Sequence, residues 1–245
     1  MTDVIRLHPI DQQQAAIWRL AKEVASAFDA LPFVLIGGLM VQLLEAERGV
    51  VSGFATGDVD VVIDVRALTG ATQRAAAALV DAGFEPEQYG DDLTYRFVRG
   101  DDVVDLLTPD HLGVRTSIVT VPPASTLPAL GSRQALNRLR TVLVDTGDGA
   151  FDLPVPSLTG AIVIKARVVE SAAGRASLPK HERDLARLLA LVEDPDSEAA
   201  GLTRKGRGYL RARGDMADTG HRAWRGIGNP LDGIAALRIL AADRT

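Results

Sequence analysis

The sequence predicts an α/β (α+β) fold: a mixed sheet flanked by helices, followed by a helical C-terminal region. Three observations predict it. Short apolar runs with strand character alternate with helix-period segments over the first 150 residues. A Gly-Asp-Asp turn joins two of those runs as a hairpin. From Ser157 onward the pattern is helical only, and strands interleaved with helices and then helices alone define a mixed layer architecture. The expected division is a first domain at 1–150 and a helical domain at 151–245.

The elements follow in order. Ala16, Ile17, Leu20, Val24 and Phe28 recur at helical spacing and predict a helix over 10–29. Phe33–Ile36 is a short buried strand that Gly37-Gly38 breaks, and Leu39–Ala46 continues as a helix. Residues 47–57 read as a Gly- and Ser-containing loop, Asp58–Ile63 as a strand, and the alanine-rich 70–82 as a helix. Leu93–Arg99 and Val103–Leu107 form the hairpin around Gly100-Asp101-Asp102, and Arg138–Val144 is a strand before the turn Gly147-Asp148-Gly149. Ser157 suits a helix N-cap. Helices are expected at 158–172, 180–193, 200–213 and 231–241, with 194–200 a polar acidic loop.

Composition narrows the function classes. With 47% hydrophobic residues in 245, the chain supports a sizeable core and is not a disordered one. The longest apolar runs fall short of the roughly 18 residues a membrane span needs, so no membrane partner is expected. The segment MTDVIRLHPIDQQQ lacks the charged start and apolar core of a signal peptide, which makes a cytoplasmic location the expectation. The absence of cysteine excludes disulfides and thiolate chemistry. His8, His111, His181 and His221 have no mutual metal-ligand spacing and are taken as non-catalytic. The net charge of −5 is uneven: residues 151–245 hold 15 Lys/Arg against 12 Asp/Glu, and the first 150 hold 12 against 20. An acidic first part and a mildly basic second part suit a metal site next to an anion-binding face.

Four places carry candidate chemistry. In TGDVDVVID, Asp58 and Asp60 sit on one face of a strand, about 7 Å apart along the chain. They are either a solvated surface pair or a seat for Mg²⁺, which takes oxygen ligands plus substrate phosphates. Asp105 lies in VVDLL among apolar neighbours. If the hairpin sets that strand beside Asp58-Val59-Asp60, three carboxylates converge, able to hold metal ions and to take a proton from an attacking hydroxyl. Gly37-Gly38 lets backbone approach a ligand, and the next helix offers N–H groups to a phosphate. Thr56, two residues before Asp58, either hydrogen-bonds a phosphate or shapes its loop.

Farther on, Lys165 shares an apolar stripe with Leu158, Ala161, Ile162 and Val169, so it needs an anion or a path to water. A nucleotide phosphate is one such anion and Asp184 is another. TRKGRGYLRARG clusters Arg204, Lys205, Arg207, Arg211 and Arg213 around Tyr209. It is either a solvated helix face or a contact for an RNA backbone.

Together these residues resemble the nucleotidyltransferase superfamily, and within it the AbiEii/MenT toxins of type IV toxin–antitoxin systems. The resemblance rests on Gly37-Gly38-Leu39-Met40, on Thr56-Gly57-Asp58-Val59-Asp60, on Lys165 in PSLTGAIVIKAR, and on Arg183-Asp184 in HERDLARLL, and it covers about residues 33–193. Asp105 in VVDLLTPD resembles the third carboxylate of the superfamily. Phe54 stands near where many relatives carry an arginine. The resemblance implies a nucleotidyltransferase-like sheet and transfer of NMP from an NTP, CTP or UTP among those in view, to the acceptor end of tRNA. It implies Mg²⁺ or Mn²⁺ on Asp58, Asp60 and Asp105, with Asp58, Asp60, Asp105, Lys165 and Asp184 as catalytic residues. Gly37, Gly38, Thr56 and Lys165 would bind the nucleotide, and a neighbouring gene would supply a cognate antitoxin. A phosphate or nucleotide placed on Thr56 would repel incoming NTP. The alternatives are a nucleotidyltransferase acting on a small molecule such as an antibiotic, and a catalytically inactive member that binds RNA or a protein partner.

Overall fold

Asp11 starts the first helix by accepting a hydrogen bond from the Gln14 N–H at 2.7 Å. A computed structural model of the chain describes residues 4–171 and 176–243. Its elements run β1 (Val4–Arg6), α1 (Gln12–Ala27), β2 (Phe33–Leu35), α2 (Gly37–Glu47), β3 (Val59–Ile63), α3 (Ala71–Asp81), β4 (Glu85–Tyr89), β5 (Leu93–Arg99), β6 (Asp102–Pro109), β7 (Pro128–Ala129), α4 (Ser132–Ala135), β8 (Leu139–Asp145), β9 (Ala150–Pro156), α5 (Leu158–Ser171), α6 (Leu178–Ala190), α7 (Pro195–Ala200), α8 (Arg204–Arg211) and α9 (Pro230–Ala241). The chain divides into two compact units. One comprises 1–129 with 139–156, the other 130–138 with 157–245.

The first unit is the mixed α/β part. Its larger sheet has the order β2-β3-β6-β5-β4, with β7 beside β6. β3 and β6 run parallel, and β2–β3, β4–β5 and β5–β6 run antiparallel. A smaller sheet has the order β1-β8-β9. Alternation decides what the larger sheet buries. Val59, Val61 and Ile63 of β3, Val104 and Leu106 of β6 and Phe97 of β5 join one core with Ile17, Leu20 and Val24 of α1 and Ala75 and Leu79 of α3. At the usual figure for apolar area removed from water, each of the buried Val, Leu, Ile and Phe side chains contributes about 1.5–3 kcal/mol. The opposite face of β3 and β6 is left for Asp60 and Asp105.

The second unit packs α5 and α6 with α8 and α9. Ile162, Val169, Leu185, Leu188, Leu189, Leu210, Leu237 and Leu240 are buried there. Ser157 Oγ accepts from the Gly160 N–H at 3.3 Å and caps α5. The expected helix over 158–172 runs to Ser171, and Ala172 lies outside the described residues.

Several local expectations are corrected. Residues 194–200 are not a loop: Asp194 caps α7 through the Ser197 N–H at 3.1 Å, and Pro195 opens that helix with its φ already set. The helix expected over 200–213 is the shorter α8, started afresh by Thr203, whose Oγ1 accepts from the Gly206 N–H at 3.0 Å. Strands β1, β4 and β9 were not anticipated. β4 reads EPEQY and lies at the edge of its sheet, exposed along most of its length, so it carries no apolar alternation.

Candidate active site

Register brings the three carboxylates together. Asp60 of β3 lies directly opposite Asp105 of β6. Asp58, one residue before β3, points to the same side as Asp60, and ligand oxygens of Asp58, Asp60 and Asp105 all lie within 4.8 Å of one another. Asp105 is buried, while Asp58 and Asp60 are partly exposed, so the cluster is open on one side.

Thr56 and the glycine turn frame this cluster. Thr56 Oγ1 donates to Asp58 Oδ1 at 2.9 Å, and Thr56 itself is 3% exposed. A group added to Thr56 therefore needs the loop before β3 to move. Gly37 has φ +73°, and a Cβ there would stand 1.8 Å from Asp60 Oδ2. A Cβ on Gly38 would stand 2.6 Å from Thr56 Oγ1. The two glycines are thus required first by Asp60 and Thr56 themselves. α2 begins without a side-chain cap, and Asp60 sits over its first turn, where the positive end of a helix favours an anion.

Arg96 was not anticipated. It lies opposite Asp105 on the other flank of β6, and its Nε and Nη2 donate to the two Asp105 oxygens at 2.7 and 2.8 Å. Nη2 is also 3.9 Å from Asp58 Oδ2. The hydrogen bonds to Asp105 hold the guanidinium pKa well above the usual arginine value. Tyr95 supports it from the side, its ring centre 5.9 Å from Arg96 Cζ, and Tyr95 stacks on Tyr89 at 4.9 Å. In the sequence Arg96 is one polar residue in the strand LTYRFVR, and only the pairing of β5 with β6 reveals its place.

Lys165 and Asp184 belong to the second unit. Lys165 Nζ donates to Asp184 Oδ2 at 2.7 Å, with 4% and 1% of the two residues exposed. His181 is close to the pair. Burial, and then the Lys165 charge, push its pKa below the usual histidine value, and its Nδ1 is buried without a hydrogen-bond partner.

The five basic residues around Tyr209 do not form one face. Arg207 is buried and donates to the carbonyls of Leu240 and Ala242 at 3.4 Å and to that of Ala199. Arg213 pairs with Glu182 at 2.7 Å and Asp215 at 2.6 Å, and Arg211 pairs with Asp243. Tyr209 is buried too. Arg204 and Lys205 are exposed at the start of α8.

Glu182, Asp215 and His221 form a second group with metal-like spacing. Arg213 and Arg222 already neutralise Glu182, at 2.7 and 2.8 Å. His221 Nδ1 accepts from the Ala223 N–H at 3.3 Å, so a neutral His221 carries its proton on Nε2, facing the carboxylates. The group is an ion-pair network rather than a metal centre.

Comparison with known proteins adds the fold. No protein-family model matches the chain, and no curated protein matches it. A crystal structure described as an antigenic nucleotidyltransferase-like protein from Paracoccidioides brasiliensis is similar over 93% of this chain and 94% of that one, with 16% sequence identity and a TM-score of 0.51. The chain therefore has a nucleotidyltransferase-like α/β fold. Among the described residues no helix is long and apolar enough to cross a membrane.

Proposed function

We propose that the protein is a metal-dependent nucleotidyltransferase that moves NMP from an NTP to an RNA 3′ end, with tRNA as the acceptor. The observation that carries this is the register of Asp60 against Asp105, which with Asp58 collects three carboxylates on the open face of the sheet. Such a donor set fits a hard divalent cation, because oxygen ligands are what Mg²⁺ and Mn²⁺ take and three carboxylates this close repel one another. Asp58, Asp60 and Asp105 would hold the ion, which when bound supplies Lewis-acid polarisation of a phosphoryl oxygen.

The residues of the chain account for the rest. In the transfer, the acceptor oxygen bonds to the α-phosphorus, the bond to pyrophosphate breaks, and the hydroxyl proton passes to Asp105. Each oxygen of Asp105 keeps a lone pair beyond its bond to Arg96. The positive end of α2, beside the cluster, favours phosphate as well as Asp60, and Thr56 orients Asp58. Lys165, oriented by Asp184, would neutralise charge on the departing pyrophosphate. The motifs shared with the AbiEii/MenT toxins support the same chemistry in a toxin held in check by an antitoxin. The acidic trio with its frame of Gly37, Gly38 and Thr56 favours a transferase over an inactive binding protein.

The test is incubation with each labelled NTP in turn, Mg²⁺ and total tRNA. Label should appear on RNA with one or two nucleotides and disappear in Asp58→Asn. Absence of label on RNA with all four nucleotides, or label that survives in Asp58→Asn, would overturn the proposal.

A further inference from the structure

The carboxylate cluster already contains a cation. Across the open face of the sheet, the register places Asp60 opposite Asp105, Asp105 opposite Arg96, and Arg96 opposite Glu87. Side chains at directly opposed positions of neighbouring strands are held within reach of each other by the backbone pairing. Arg96 is therefore not a chance surface contact: β5 and β6 fix its Cα beside that of Asp105. Its planar fork takes both Asp105 oxygens, a geometry that a lysine or a single hydrogen bond cannot reproduce. Tyr95 flanks the guanidinium, and Nη2 approaches Asp58 Oδ2 to 3.9 Å.

From this we infer that Arg96 permanently fills the place of a second metal ion, so that without nucleotide the cluster binds one divalent cation. The inference rests on the proposed metal-dependent transfer and narrows it. Charge supports it. Arg96 already offsets one unit of the charge of the three carboxylates, on Asp105 and towards Asp58. A second ion would have to take Asp105 oxygens from a bidentate guanidinium and sit beside its positive charge. Any further ion must arrive with the triphosphate, whose own oxygens supply its ligands and its countercharge. Arg96 is thus a positioning residue: it holds Asp105 in its orientation, with a lone pair left for the acceptor proton, and it sets how many ions the resting protein takes.

The test reads metal binding directly, without turnover. Mn²⁺ is titrated into the metal-stripped full-length protein without nucleotide, and free Mn²⁺ is followed by electron paramagnetic resonance. The wild type should bind one ion. Arg96→Gln should bind Mn²⁺ at least about tenfold more tightly or take up a second ion, since a unit charge about 5 Å from a divalent ion has that effect even at the dielectric of water. Arg96→Lys, which keeps the charge and loses the fork, should stay at one ion. Two ions of similar affinity in the wild type would overturn the inference and leave the proposed transferase standing, a result that needs no variant to fold. Unchanged stoichiometry and affinity in a folded Arg96→Gln would also overturn it. Absence of Mn²⁺ binding in both the wild type and Arg96→Gln would overturn the inference and the proposed metal site together.

Discussion

Replacing Asp184 by leucine should destabilise the second unit severely, and replacing Lys165 by methionine in addition should restore it. The two groups meet at 2.7 Å, and no more than 4% of either residue is exposed. Removing one member leaves the other charge stranded in the interior, at a cost of about 3–5 kcal/mol. That is a large share of the 5–15 kcal/mol that typically holds a domain together. Removing both with apolar residues of similar volume should return stability to within about 1 kcal/mol of the wild type, because the desolvation cost disappears with the attraction. The chain has two tryptophans, Trp18 in the first unit and Trp224 in the second, where it is buried. In a Trp18→Phe background, Trp224 fluorescence in urea reports the second unit alone. With slopes of about 1–3 kcal/mol per molar urea, the Asp184→Leu midpoint should fall by at least about 1 M. A fall worth less than about 1 kcal/mol, or a double variant as weak as the sum of the singles, would refute a coupled buried pair. The double variant also separates structure from chemistry. If Lys165 neutralises the leaving pyrophosphate, the refolded double variant should transfer no nucleotide, and full activity would assign the pair to folding alone.

Three further outcomes are expected. Gly37→Ala places a methyl group on Asp60 and a side chain in the left-handed region, so it should lower stability by about 1–3 kcal/mol and weaken Mn²⁺ binding, read by thermal melting and metal titration. His181 has its pKa lowered in the fold, chiefly by burial, so below its ordinary 6.5 the unfolded chain binds the extra proton. Stability should therefore be complete above about pH 6.5 and decline as pH falls through the folded value, and His181→Gln should flatten that decline in urea midpoints measured against pH. Arg207→Ala removes a buried donor to three carbonyls and should cost about 2–4 kcal/mol, whereas Arg204→Ala with Lys205→Ala should cost under about 0.5 kcal/mol and weaken RNA retention in low-salt filter binding.

The legible part of the site is the part where burial leaves a trace in the one-dimensional pattern. Asp60 and Asp105 each interrupt an apolar strand, and a carboxylate between valines and leucines announces that its face of the sheet differs from the other. Gly37 was legible for a related reason, since a strand ending in Gly-Gly before a helix demands an unusual backbone. Arg96 left no such trace, because an arginine in a half-buried strand looks the same whether it faces water or a carboxylate. Its meaning depends on which residue β6 sets opposite it. Arg207 was misjudged in the opposite direction: a run of basic residues on a short helix suggests a solvated face, and only the packing of α7, α8 and α9 shows that one guanidinium points inward. The six residues of α7, PDSEAA, carry no helical stripe in the sequence, and its capping aspartate and leading proline also occur in loops.

The route of the chain through the two units has a consequence for its history and its engineering. The polypeptide leaves the first unit after Ala129, contributes nine residues to the second, returns at Leu139 and leaves again after Pro156. On its return it lays down β8, the middle strand of the smaller sheet, without which neither β1 nor β9 has a neighbour. A stop codon after the first exit removes the strand that β1 needs, and one after the second keeps the whole first unit but strands the nine-residue detour. A single breakpoint therefore leaves either an incomplete small sheet or a detour without the helices it packs on. A paired edit frees the carboxylate-bearing unit without the detour, ending it at Pro156 and bridging Ala129 to Leu139 with a short linker.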